Sequence, residues 1–471
     1  MNYRMEADSI GSMLVPADAY YGVQTLRAKN NFFITGRPLH PAFIRNLANI
    51  KKAAAITNCH AGLLPVAVKD AIATACDEIV AGNLAEEFIT DAIQGGAGTS
   101  ANMNANEVIA NRAIELLGGT KGDYSIVHPN DHVNMSQSTN DVIPSAGKLT
   151  VLELLPNAIA ELKRLERAFH KKSIEFDSIL KMGRTQLQDA VPMRLGQAFS
   201  AYQNVIRRDI ARLEKAMDEM HTLNMGATAI GTAINVSPYY LSHIVDTINI
   251  VCHTSCRQAD DLFDATQNLD GFVTVSSTLK ICAVNLSKIC NDLRLLSSGP
   301  KTGIGEISLP AKQNGSSIMP GKVNPVIPEV VSQVAFRIIG NDTVITMAAE
   351  AGQLELNAFE PVIFLSLFES IECLKRACAT LIDNCIEGIT ANTDRCKELV
   401  EASVGISTAL CPYIGYTKSA ELAKKSLKTG RKLRELVLEE GLLNADQLNS
   451  ILNPLTMTSP VYLKEKTGSE E

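Results

Sequence analysis

The residues best placed to do chemistry lie in Gly315-Ser316-Ser317-Ile318-Met319-Pro320-Gly321-Lys322-Val323-Asn324-Pro325, where two hydroxyls, one ammonium and one carboxamide share eleven positions. Glycine admits positive φ and lets backbone N–H groups approach a ligand, while proline stiffens the turns on either side. Serine hydroxyls and free amides can then converge on an anion, with Lys322 as the only full positive charge. The block closes a Gly-, Ser- and Pro-rich segment, Ser297 to Asn314, that shows no helical or strand period. A segment of that length inside a compact domain is usually functional or disordered. The competing reading is an exposed linker with a Gly-Ser hinge, and the fixed offsets of Lys322 and Asn324 behind the serines favour a site.

Three further polar blocks share this character. The glycine-rich run Gln94 to Ser100 feeds a helical pattern, Asn102 to Leu117, that stops at Gly118 and Gly119. Unpaired N–H groups and the helix dipole favour an anion at such a start, although Thr99 or Ser100 would also serve as an ordinary cap. The run is no nucleotide P-loop, because the Gly-Lys-Ser/Thr ending and a preceding strand pattern are missing. The block His128 to Asp141 places Ser138, Thr139 and Asn140 directly before a long helical region, where each of them, or Asp141, is also a possible cap. His128 and His132 read as loop or cap residues, since no further ligands stand at metal spacing. Gly183 to Asp189 lies between two helical patterns and carries Thr185 and Gln186. Helix connections are normally short and need no such density of donors, so a site competes here with a capped turn.

Across Thr99, Ser138 to Asn140, Thr185-Gln186 and Ser316 to Asn324 the polar side chains are neutral hydrogen-bonders except Lys322. No Ser–His–Asp order, metal constellation or pair of catalytic carboxylates stands out. Many neutral donors and one cation suit a small substrate that carries carboxylates.

Long helices must position these blocks. Ile206, Ile210, Leu213, Met217 and Met220 step by four, three, four and three, and Leu279, Cys282, Leu286, Ile289, Leu293 and Leu296 by three, four, three, four and three. Such stripes are the seams of bundle helices. Leu155, Ile159, Leu162 and Phe169 mark another. The pattern from Val326 to about Ala349 has few charges beyond Glu329, Arg337 and Asp342, so it is expected to be buried on nearly every side, against other subunits. Residues 1–140 are expected to form a mixed, mostly helical domain, with a hairpin or extended arm within Met1 to Asn31. Residues 141–394 are expected to form a central long-helix bundle, and 395–471 a small helical domain in which Asn444 and Gln447 make a capping box.

A chain of 471 residues, 46% apolar and 20% charged with mean hydropathy +0.05, holds ample material for such cores. A net charge of −7 and a pI near 5.7 exclude nucleic acid as an expected partner. Met1 to Pro16 has no apolar core of a signal peptide, and no apolar run reaches membrane-spanning length. The eleven cysteines are scattered without any C-x-x-C. Cys252, His253 and Cys256 read as a helical face rather than zinc ligands. The expectation is a soluble, cytoplasmic protein of a reducing compartment that needs no cofactor.

The block Gly315 to Pro325 resembles the signature of the fumarase/aspartase superfamily of lyases, and the blocks around Thr99, Ser138-Thr139-Asn140 and Thr185 resemble its other characteristic regions in the same order. The resemblance extends over essentially the whole chain. It implies a mostly α, three-domain subunit whose central helices build the core of a homotetramer, with each active site assembled from three protomers. Within the superfamily the chain looks like the aspartase branch. Fumarases typically read Gly-Ser-Gly-Thr at Gly96 to Thr99, Ser-Ser-Asn at Ser138 to Asn140, and Thr-His-Leu-Gln-Asp at Thr185 to Asp189. They also tend to carry lysine at the position of Glu360 in Glu355 to Pro361. Gln186 departs from the histidine of many members.

The resemblance implies reversible deamination of L-aspartate to fumarate and ammonia. Ser316 would be the general base, acting as an alkoxide favoured by Lys322. Thr99, Ser138, Thr139 and Ser317 would ligate the β-carboxylate, Lys322 and Asn324 the α-carboxylate, and Asn140, Thr185 and Gln186 would orient the amino group. Gly315 and Gly321 would be hinges of a lid. His128 with Asn130 resembles a secondary anion site of fumarases, and metal activation, which some members show, is not legible. A class II fumarase, hydrating fumarate to malate, is the nearest rival. The wording Pro320 to Asn324 favours small dicarboxylates over argininosuccinate or adenylosuccinate, and the presence of Ser316 and Lys322 speaks against an inactive crystallin-like scaffold.

Overall fold

The computed structural model describes residues 2–315, 317–453, 457 and 458. Its order begins with the antiparallel hairpin β1 (Tyr3–Asp8) and β2 (Gly11–Pro16), one of the two arrangements expected within the first thirty-one residues. Helices α1 (Val23–Asn31), α2 (Pro41–His60), α3 (Val66–Val80) and α4 (Thr99–Leu116) follow. After these come α5 (Thr139–Glu175), the hairpin β3 (Leu180–Thr185) and β4 (Gln188–Arg194), and α6 (Leu195–Met217). The short parallel pair β5 (Thr222–Leu223) and β6 (Arg257–Gln258) brackets α7 (Pro238–Cys252). Then come α8 (Leu262–Gln267), α9 (Asp270–Leu296), α10 (Val326–Glu350) and α11 (Glu360–Asn384).

The chain divides into two compact units, residues 1–160, 209–284 and 334–376, and residues 161–208, 285–333 and 377–471. The fold is mostly α, as the stripes require. In the first unit α2 buries Leu47, Ile50, Ala54 and Ala55, and Phe43 packs with Phe364 at 5.4 Å between ring centroids. Gly147 is needed there, because a Cβ would run into the Phe364 ring. In the second unit Phe169, Phe176, Phe199 and Tyr202 form an aromatic core. Its C-terminal end packs Leu410, Leu422, Leu433, Leu436, Val437 and Leu448. Asn444 caps the helix Ala445–Ile451 in the expected capping box with Gln447.

Three local expectations change. The helix after the glycine run starts at Thr99 rather than Asn102, behind the left-handed Gly98, whose Cβ would press on Ile143. The segment Gly183 to Asp189 is neither loop nor capped helix connection but the tip of the β3–β4 hairpin. Cys252 ends α7 and His253 turns left-handed at φ 52°, so Cys256 lies beyond the helix and the three share no helical face. On α10, Phe336 and Met347 are 61% and 66% exposed within the chain, so the burial expected of that helix is not supplied by its own subunit.

Candidate functional site

In the first unit the starts of α4 and α5 bring two of the polar blocks together. Ser138 caps α5: its Oγ accepts from Asn140 N at 3.2 Å, while its own N–H donates to Asp141 Oδ1 at 2.9 Å. Asp141 is fully buried and also accepts from Gly226 N at 3.0 Å and Thr228 N at 3.1 Å, so the turn is pinned from behind. Thr139 Oγ1 accepts from Asn102 Nδ2 at 3.3 Å. A hydroxyl whose oxygen accepts internally keeps its proton for an incoming acceptor. Ser138 and Thr139 are therefore arranged as donors, the polarity a carboxylate requires. Asn140 donates Nδ2 to the Ala229 carbonyl at 2.7 Å, and its Oδ1 is an acceptor of the kind an ammonium requires. Thr99 is exposed, and its hydroxyl donates to the Gly96 carbonyl at 2.6 Å. It must release that bond to donate to a ligand. The helix cap at α4 is supplied instead by Gln94, whose Oε1 takes the Ala101 N–H at 2.8 Å.

In the second unit Thr185 and Gln186 sit at the hairpin tip. Thr185 pairs with Gln188 across a two-residue loop in which Gln186 and Leu187 both take positive φ, 54° and 62°. That turn matches strand twist but normally recruits Asn or Gly. The strained conformation, uncommon for Gln and Leu, presents both side chains to the exterior. The base of the hairpin is held by Glu306, which has no exposure and lies 2.9 Å from Arg184 Nη1 and 3.2 Å from Lys181 Nζ. The latter contact is ionic, off the hydrogen-bond line.

Ser316 lies outside the described residues. Around it, Gly315 is obligatory, because a Cβ there would run into the Lys322 carbonyl, and Gly321 takes φ 81°. Ser317 and Lys322 are exposed and Asn324 half-buried. Lys322 and Asn324 line a cavity of about 770 Å³ with Arg294, Ser298, Pro310 and Glu329. Thr99, Ser138, Thr139 and Asn140 belong to one unit, and Thr185, Gln186, Ser317, Lys322 and Asn324 to the other; Thr185 and Gln186 are not among the residues that line the cavity with Lys322 and Asn324.

His128 is a cap, as expected of a loop histidine: its Nδ1 accepts from Asn130 N at 3.2 Å and Asp131 N at 3.1 Å. Among the described residues no three His, Cys, Asp or Glu side chains gather as metal ligands would. Sequence reasoning missed Lys51 and Asn102, both buried beside the Ser138 turn. The signal for Lys51 was a lysine on the apolar face of α2. It missed Glu360 as a buried group too: burial holds its carboxyl well above the usual carboxylate range, with the Lys148 charge opposing.

Residues 11–340 match the lyase family, and residues 406–459 match the fumarase C C-terminus. An aspartate ammonia-lyase of a Bacillus species is 52% identical over 97% of this chain and 98% of its own. A solved structure described as fumarate lyase:delta crystallin from Brucella melitensis, bound to cobalt, aligns with TM-score 0.95 at 50% identity, over 98% of this chain and 100% of that one. A class II fumarase from Schistosoma mansoni aligns with TM-score 0.93 at 35% identity, over 97% of this chain and 99% of that one.

Proposed function

This chain belongs to the fumarase/aspartase family of lyases, and we propose that it converts L-aspartate reversibly into fumarate and ammonia. The observation that carries the reading is the 52% identity to an aspartate ammonia-lyase over nearly the full length of both chains. Ser316, as alkoxide, takes a proton from the carbon bearing the β-carboxylate. The C–H electron pair moves into that carboxylate to give the aci-carboxylate. It then returns as the carbon–carbon double bond while the C–N pair leaves with ammonia. The barrier lies in the charge that builds on the carboxylate, and preorganised donors are the largest lever on it. Ser138 and Thr139, with their protons free, suit that task; Thr99 and Ser317 join them when the loop closes. Lys322 and Asn324 hold the α-carboxylate. The Oδ1 of Asn140, with Thr185 and Gln186, orients the amino group. An alkoxide must be favoured by about 1.4 kcal/mol for each unit of pKa lowering, which Lys322 and loop N–H groups supply in a closed site.

The working form we propose is a homotetramer with sites completed between protomers, since α10 leaves Phe336 and Met347 uncovered by their own subunit. A cytoplasmic location fits eleven cysteines that are all free. Assaying L-aspartate and L-malate separately, by the ultraviolet absorbance of the new conjugated double bond, tests the reaction. L-Aspartate should be turned over and L-malate not; the reverse outcome would make the chain a fumarase, the reading that the Schistosoma likeness favours. Ser316→Ala should abolish turnover and leave the oligomer intact. Mixed with inactive Thr185→Ala subunits under proven exchange, it should regain partial activity if sites are shared.

A further inference from the structure

Behind Ser138 and Thr139 runs a buried hydrogen-bond chain that begins at the side-chain nitrogen of Lys51. Lys51 on α2 is wholly buried, and its ammonium donates to Asn134 Oδ1 at 2.8 Å and Gln137 Oε1 at 3.0 Å. An ammonium has three donors and no acceptor, so both amides must turn oxygen toward it. The Asn134 Nδ2 accordingly donates to the Gln137 carbonyl at 3.2 Å. The same Asn134 Oδ1 also receives Asn102 Nδ2 at 3.2 Å, which obliges Asn102 to present its NH2 end. That NH2 lies 3.3 Å from Thr139 Oγ1 and can only donate to it. The polarity of each link therefore follows from the one before, and it ends by releasing the Thr139 proton. Asn102 is 2% exposed and its Oδ1 meets no hydrogen-bond partner among the described residues. A buried amide with half its capacity unmet is a poor choice for structure alone.

We propose that Asn102 is a positioning residue for this reaction, with Lys51 behind it setting the direction of the chain, so that Thr139 donates its hydroxyl proton to the substrate carboxylate on which charge accumulates. The inference rests on the reading of Thr139 as a carboxylate ligand.

Asn102→Asp tests it, because a near-isosteric carboxylate only accepts. It would draw the Thr139 proton inward and turn the oxygen lone pairs toward the substrate. The expected result is a fall in kcat for L-aspartate of about 100-fold, comparable to loss of one oxyanion donor. KM should stay within roughly threefold, because the extra charge exists only in the transition state. Asn102→Ala, which frees the hydroxyl to rotate, should lower kcat about 10-fold, a gentler loss of the same donor. In a Thr139→Val background neither substitution should change kcat by more than about twofold, the mark of residues acting as one unit. If Asn102→Asp does not assemble, the Asn102→Ala cycle in both backgrounds decides. Equal losses with and without the Thr139 hydroxyl, or a change confined to KM, would overturn the role of Asn102. Wild-type kcat in Thr139→Val alone would overturn the ligand reading, and this inference with it.

Discussion

Replacing Glu306 by alanine should cost about 3–5 kcal/mol of stability and loosen the turn that carries Thr185 and Gln186. The carboxylate has no exposure, and the side chains of its two cationic neighbours, Lys181 and Arg184, are only 6% and 16% exposed. At about 3 Å and an effective dielectric near 20, each contact is worth roughly 5 kcal/mol of attraction, most of which offsets the desolvation of the charges. Removing the anion alone leaves both desolvation costs standing. Backbone carbonyls compensate little, since both cations already donate to Met182 O, at 2.7 Å from Lys181 and 3.2 Å from Arg184. The assay is urea unfolding, followed by tyrosine fluorescence and by residual activity. The change should appear in the midpoint, together with a raised KM for L-aspartate, because Arg184 directly precedes Thr185 in β3. Making the whole triad apolar, with Lys181→Met, Arg184→Met and Glu306→Leu combined in one protein, should recover most of the stability. A Glu306→Ala protein within about 1 kcal/mol of wild type would refute the reasoning, because exposed ion pairs lose no more than that.

Two other substitutions should stabilise. Tyr240 is fully buried and its hydroxyl has no hydrogen-bond partner among the described residues, so Tyr240→Phe should raise stability by about 1 kcal/mol, seen as a higher melting temperature; a drop would reveal an unseen bond. Leu187 holds φ 62° at the hairpin tip, and Leu187→Gly should relieve about 1 kcal/mol of left-handed strain. The check is slower unfolding with oligomeric state unchanged, and faster unfolding would count against strain at that turn.

The helices were legible because their apolar stripes are unambiguous and their stops carry glycine, as at Gly118 and Gly119. The hairpin β3–β4 was not. Its turn is Gln-Leu rather than Asn-Gly, so the usual hairpin signal is missing at the very position where Gln186, a ligand only in the proposed function, takes a strained backbone. The donor blocks could be found from residue type, but the direction in which each hydroxyl points could not. At Thr139 that direction follows from Asn102 and Lys51, which come from helices far away in sequence and look like ordinary helical residues when read alone. Few charges on α10 led to an expectation of burial against other subunits, and within the chain Phe336 and Met347 are left exposed.

Asp141 joins the site to pH. Burial pushes its carboxyl from the ordinary 3.8 up to about 6, against the three backbone N–H groups and the Lys51 charge that pull it down. The groups facing it are Lys51, which burial itself lowers to about 7, and the Tyr240 phenol, which burial raises. Between pH 4 and 6 the folded chain keeps the Asp141 proton while the unfolded chain has lost it. The native state binds more protons there, so this group's contribution to stability must fall as pH rises through that window and stay level above it. A gap of roughly two pH units, at about 1.4 kcal/mol each, makes the fall about 3 kcal/mol. Asp141→Asn removes the titration. The stability difference, wild type minus variant, should therefore decline from pH 4 to 6 and then flatten, in urea unfolding measured at half-unit steps. A difference that rises over the same range would mean that the backbone donors and Lys51 outweigh burial, and that the Ser138 turn is held by an anion at every working pH.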